Sequence, residues 1–168
     1  MIDPAKHDSF LDTLKLHQKI FHLVPELLEQ ESKDIESLVW EEVRFTASNG
    51  VNVPDERGLY AFTVHSSKLG LPIHGYVMYI GIAGNTSSNT LRKRFSNYIN
   101  AQKTTLVKRP KVREMLKRWG PVLYFQYTSV QNEGTDLHDL EKKLNDIFQS
   151  PCVSNDFTAT VRSARKAF

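Results

Sequence analysis

The sequence predicts an α+β fold: a small, mainly antiparallel sheet flanked by helices, with an N-terminal helical extension. Three observations predict it. Two apolar runs, GLYAFTV (58–64) and GYVMYIGI (75–82), have the length and composition of strands and follow one another closely in the chain. Segments with helical spacing lie on both sides of them, and a further strand pattern covers 121–129. The strands are mixed with helices, and the first two form a hairpin, which favours an antiparallel sheet over a parallel one.

Taken in order, residues 8–24 place Phe10, Leu14, Phe21 and Val24 at helical spacing, with Leu11 on the flank. Pro25 opens a second helical stretch, PELLEQESKDIESLVW, whose early acids suit a helix N-terminus. FTASNGVNVPDER (45–57), with Asn-Gly and a Pro, reads as a turn-rich junction. This divides the chain into an acidic helical leader (1–56), a core (57–158) and a short basic tail (159–168). Within the core the expected order is strand 58–65, loop 66–74, strand 75–83, loop 84–89 and helix 90–102. A second basic helix (110–119), a strand (121–129) and a helix (135–149) follow. Lys-Leu-Gly-Leu-Pro in the first loop favours a long connection over a tight turn. Pro110 suits the start of its helix, and Gly120-Pro121 suits its end. Thr135 is placed to cap the last helix, which Pro151 closes off.

At 168 residues the chain is long enough to bury a core of its own. No apolar run approaches the ~20 residues that cross a bilayer, and MIDPAKHDSF lacks the apolar stretch of a secretory signal. The single Cys152 can form neither an internal disulfide nor a structural zinc site, so a cytoplasmic location is expected. Net charge is only +3, but it is unevenly spread. Residues 1–57 carry 6 basic and 12 acidic side chains; residues 92–118 carry 10 basic and a single acid, Glu114. A basic middle beside an acidic leader is how a polyanion-binding surface reads in sequence. Arg92, Lys93, Lys103, Lys108, Arg109, Lys111 and Arg113 are the candidate nucleic-acid contacts. No phosphate-cradling loop is present, because GIAGNTSSN lacks the lysine of a P-loop, and nothing near Cys152 in sequence would activate it as a nucleophile.

Within this frame, Tyr60 and Tyr79 fall in the two strand runs, and LRKRFSNYI (91–99) opens a helical pattern with its arginines. Glu141 lies on the last amphipathic stretch, and Asn155 follows a Ser-Pro break. Singly, each has an ordinary explanation as a strand aromatic, a solvated helix cation or a turn former. As an ordered set they resemble the GIY-YIG nuclease superfamily over about residues 57–156. Gly58-Leu59-Tyr60 and Tyr79-Ile80-Gly81 match its two name motifs, with Leu59 in place of Ile. Arg-Lys-Arg-Phe-Ser-Asn-Tyr (92–98) resembles the Lys-Lys-Arg-Leu-Ser-Ser-Tyr run in the nuclease domain of the bacterial excision-repair incision protein.

The resemblance implies a metal-dependent endonuclease that hydrolyses phosphodiester bonds in DNA, RNA not being excluded. It assigns Tyr60, Tyr79, Arg94, Tyr98, Glu141 and Asn155 to the catalytic centre. A tyrosine would activate water, Arg94 would hold the phosphate, and Glu141 would bind one Mg²⁺ or Mn²⁺ ion. The connections from Tyr60 to Tyr79 and from Gly81 to Arg94 are longer than in compact members and resemble the restriction-enzyme branch. The alternatives are a nucleic-acid-binding module with this fold and little catalysis, and a protein-interaction domain that docks through its leader. A homodimer through the N-terminal helices is expected if both strands of a duplex are cut.

Overall fold

The computed structural model describes residues 4–22, 24–29, 33–65, 75–85, 88–103, 109–153 and 156–164. The expected loop 66–74, Lys108 and Asn155 lie outside the described residues.

The molecule is built on one four-stranded antiparallel sheet with helices on both faces. Its strands are β1 (Glu41–Arg44), β2 (Gly58–Val64), β3 (Tyr76–Ala83) and β4 (Leu123–Ser129), in the order β1-β4-β2-β3. β2 lies between β4 and β3, which is why its run is apolar on both faces and buried from Gly58 to Thr63. Tyr60 and Phe62 point to one side, Leu59 and Ala61 to the other. Gly58 is required by the neighbouring strand, since a Cβ there would fall 2.0 Å from the Thr128 carbonyl oxygen.

β1 lies in the expected leader, between its second helical stretch and the turn-rich junction, where no element was expected. Its EEVR holds one apolar residue, Val43, so it carries no strand pattern, yet it pairs with β4 from Glu41↔Tyr127 to Arg44↔Tyr124. The expected helix after Pro25 is reduced to two four-residue turns, α2 (Pro25–Leu28) and α3 (Lys33–Glu36). Ahead of them, α1 (Pro4–His17) leaves Phe10, Leu11 and Leu14 exposed, while Phe21 beyond its end packs on Tyr76 at a ring distance of 5.0 Å. Phe45 and Val53, in the expected junction, belong to the main core.

The other helices are α4 (Leu91–Gln102), α5 (Pro110–Trp119), α6 (Leu137–Phe148) and α7 (Ala159–Ala164), the last falling in the expected tail. Leu91, Phe95 and Ile99 bury the i, i+4, i+8 stripe of α4, and Val112, Met115 and Leu116 do the same for α5. Thr90 caps α4, accepting from the Lys93 amide while its hydroxyl donates to Asp55. α6 is capped by Asp136, not by Thr135: the Asp136 carboxylate accepts from the His138 and Asp139 amides. α6 lays Leu137, Leu140 and Leu144 against Leu59, Ala61 and Ile80.

Past α6 the chain turns through Gln149 at φ 47° and runs along the outer strand, where the Cys152 amide donates to the Met78 carbonyl at 3.0 Å. The Asp146 carboxylate then takes both the amide (3.0 Å) and the hydroxyl (2.5 Å) of Thr158, fixing the return segment against α6. Among the described residues no helix is long and apolar enough to cross a membrane.

Candidate active site

Tyr60 stands directly opposite Gly81 across the β2–β3 pair. A Cβ on Gly81 would sit 2.5 Å from the Tyr60 hydroxyl and 3.0 Å from the Tyr79 ring, so only glycine lets both phenols lie over this point. The register shifts between Phe62 and Thr63, where Phe62 faces Tyr79 and Thr63 faces Val77. Such an irregularity bends the strand and re-aims its side chains. The result is a tilted Tyr60–Tyr79 pair with ring centres 6.2 Å apart, backed by Phe125 stacked on Tyr60 at 5.2 Å.

From α4, Arg94 and Tyr98 project on the same face, one turn apart. The Tyr98 hydroxyl meets the Tyr60 hydroxyl at 2.9 Å. Arg94 lines a cleft of about 150 Å³ together with Tyr60, Tyr79, Ile82, Asn85, Arg109, His138, Glu141 and Asp156. Its Nε is buried and has no hydrogen-bond partner among the described residues, which leaves a guanidinium donor to be matched. Arg92, its neighbour in sequence, is engaged otherwise, donating from Nε to the Val53 carbonyl at 2.7 Å.

Glu141 enters the cleft from α6 and is 7% exposed. Burial, and then the like charge of Asp156, push its carboxyl up to about 7, against the opposing pull of Arg109, Arg94 and Lys142. His138, one turn earlier on α6, brings Nδ1 to 3.6 Å from the Glu141 carboxylate. The phenols respond to the same dry environment. Burial raises Tyr60 well above its usual range, with Tyr98 and Tyr79 adding to the rise and Arg94 opposing it. Tyr79 is also raised, chiefly by burial, with Arg109 opposing. Both are therefore neutral phenols at physiological pH.

Five of the six residues expected at the centre, Tyr60, Tyr79, Arg94, Tyr98 and Glu141, are thus gathered around one cleft. Four other polar residues arrive that sequence reasoning did not place there, Asn85, Arg109, His138 and Asp156, along with the apolar Ile82. His138 was open to detection, since it lies at i−3 from Glu141 on the same helix face. Among the basic residues assigned to nucleic acid, Lys103 and Arg113 are exposed. Lys93 and Lys111 are tied to the Ser88 (3.1 Å) and Val153 (3.3 Å) carbonyls.

Among the described residues no group of three or more His, Cys, Asp or Glu side chains is set to hold a metal. A single-carboxylate site still suits a hard divalent cation that keeps most of its waters. The donor set fits: a buried carboxylate oxygen, a second carboxylate close enough to repel it, and no sulfur ligand in the cleft. No family model, curated protein or solved structure matches the chain.

Proposed function

We propose that the protein is a phosphodiester hydrolase of the GIY-YIG type acting on DNA. The observation that supports it most is the convergence on one cleft of two neutral phenols, a buried glutamate and an arginine whose buried Nε has no partner among the described residues. A cleft rich in fixed cationic donors suits a phosphate, and a raised carboxyl beside a second acid suits a cation.

In this reading Arg94 grips the non-bridging oxygens of the scissile phosphate and stabilises the charge that grows on them. Tyr60 donates its hydrogen bond to the Tyr98 oxygen and turns a lone pair to the attacking water, activating that water by orientation instead of deprotonation. Glu141 would hold Mg²⁺ or Mn²⁺, with His138 and Asp156 beside it; when bound, the ion supplies charge neutralisation at the phosphate and the leaving oxygen. The water oxygen bonds to phosphorus and sheds a proton to solvent, the ester P–O bond breaks, and the departing oxygen takes a proton from solvent, so that one water is consumed and no net proton is lost from the protein. Exposed Lys103 and Arg113 would track the backbone, which positions the substrate without reading sequence. The exposed Phe10, Leu11 and Leu14 of α1 would join two copies, giving the paired centres that duplex cleavage uses.

The test is cleavage of plasmid and branched DNA with Mg²⁺ or Mn²⁺, on samples whose mass is read by light scattering. The expected outcome is metal-dependent cutting by a species of twice the 19.3 kDa chain mass. Arg94→Ala should lower the rate by about 10³-fold and Glu141→Ala should abolish it. Salt-sensitive binding without cutting, unchanged by Glu141→Ala, would instead select the binding-module reading.

A further inference from the structure

The two phenols of the cleft have different partners. Tyr60 meets another hydroxyl, Tyr98, and in such a pair either oxygen can donate. Tyr79 meets a guanidinium: Arg109 Nη1 lies 2.6 Å from the Tyr79 oxygen. Arginine has donors and no acceptor, so the direction of this bond is fixed. The Tyr79 oxygen must accept, and its single proton is left to donate elsewhere. Without ligand that proton is shared with the Tyr98 hydroxyl, which is also bonded to Tyr60, and a bound phosphate oxygen, being charged, is the stronger acceptor for it.

Arg109 is well placed to hold this polarity. It immediately precedes α5, whose Pro110 opens the helix, and α5 is anchored through Val112, Met115 and Leu116. Lys111 ties the same end of the helix to the Val153 carbonyl, on the segment that leads to Asp156. Arg109 also feels the charge of Asp156, which lines the same cleft.

Resting on the phosphodiester reading above, we infer that Arg109 is a positioning residue that commits Tyr79 to donate its hydrogen bond to a bound phosphate oxygen. Tyr60 and Tyr79 then have opposite tasks. Tyr60 accepts from water, and Tyr79 donates to the phosphate beside Arg94. Arg109 acts through Tyr79, so loss of either removes the same contact.

The test uses inorganic phosphate as probe, without metal or nucleic acid, titrated into full-length protein carrying ¹³C at tyrosine Cζ. In the wild type the Tyr79 resonance is expected to move with phosphate. Tyr79→Phe and Arg109→Met should each weaken phosphate binding about tenfold, and the double variant should be no weaker than Arg109→Met alone. Arg109→Lys, which keeps a donor and a charge, should restore most of the affinity. Multiplicative effects in the double variant, no effect of Tyr79→Phe, or no phosphate binding by the wild type would each overturn the inference. If the coupling holds but the wild type cuts no DNA, the nuclease reading fails and this one stands. If DNA is cut with the coupling absent, this inference alone fails.

Discussion

The two faces of the sheet are buried to a similar degree but are made of different material. On one face Leu59, Ala61 and Ile80 meet Leu137, Leu140 and Leu144 of α6, an aliphatic contact with no polar atom to satisfy. On the other, Tyr60, Phe62, Phe125 and Tyr127 meet Phe95, Phe45 and Tyr98 in a field of tilted and edge-on rings. Aromatic rings could fill that volume without hydroxyls. Here three hydroxyls and two guanidiniums collect at one margin of the layer, where each polar group costs desolvation. Both faces hold the fold, and the aromatic one also spends part of its stability on a polar cleft.

If that division is real, a large truncation on the aliphatic face should cost stability and leave the chemistry alone. Leu140→Ala removes a side chain that is 3% exposed and should destabilise the protein by about 3 kcal/mol. Denaturant unfolding measures that loss. The cleavage rate per folded molecule, taken well below the transition, should stay within about twofold of wild type. A rate that falls in step with stability would show that α6 cannot be loosened without moving Glu141, and the two faces would not be separable.

Glu141 sharpens the comparison because it sits on the aliphatic-face helix yet serves the cleft. Its carboxyl is held near 7, above the ordinary 4.5, so folding takes up a proton. A raised acid contributes stability that is fully present below about 4.5 and is lost as pH rises through about 7. Glu141→Gln keeps the shape and removes the charge. In EDTA it should be as stable as wild type near pH 4 and about 3 kcal/mol more stable at pH 8. Thermal unfolding across that range, with Arg94, Arg109, His138 and Asp156 left in place, checks it. A gap that does not widen with pH would mean that the carboxylate is not strained in the folded state.

Much of this arrangement was legible in the chain. β2 and β3 were visible as apolar runs, and Pro110 fixed the start of α5. The helix expected over 90–102 starts one residue later, at Leu91. Gly81 could be singled out, although its reason, the approach of Tyr60 to 2.5 Å from a Cβ that is not there, is a matter of register. β1 was not visible, because an edge strand written EEVR has no alternation and is chosen by β4's need for a partner. For a related reason Asp156 was invisible as a site residue, and Arg109 was read as a nucleic-acid contact and not as part of the centre. They are brought in by α5 and by the segment tied to Asp146, and no local pattern encodes where those tethers deliver them.

The smallest expected effect concerns Tyr98, which belongs to α4 but completes the aromatic face. Its hydroxyl is the partner of the buried Tyr60 hydroxyl, at 2.9 Å. Tyr98→Phe keeps the ring, and so its contacts with Phe62 and Tyr79, at centroid distances of 5.1 Å and 6.4 Å. The loss is confined to the hydrogen bonds of that hydroxyl with Tyr60 and Tyr79, together worth about 1 kcal/mol of net stability. The effect on cleavage should be larger than that suggests for the packing alone, about tenfold, because Tyr60 would lose the acceptor for its proton. With that proton free, its oxygen no longer presents a lone pair to water in one fixed direction. Single-turnover cleavage, compared between Tyr98→Phe and Tyr60→Phe, separates the contributions. If Tyr98 acts only by orienting Tyr60, its removal should have no further effect once the Tyr60 hydroxyl is gone.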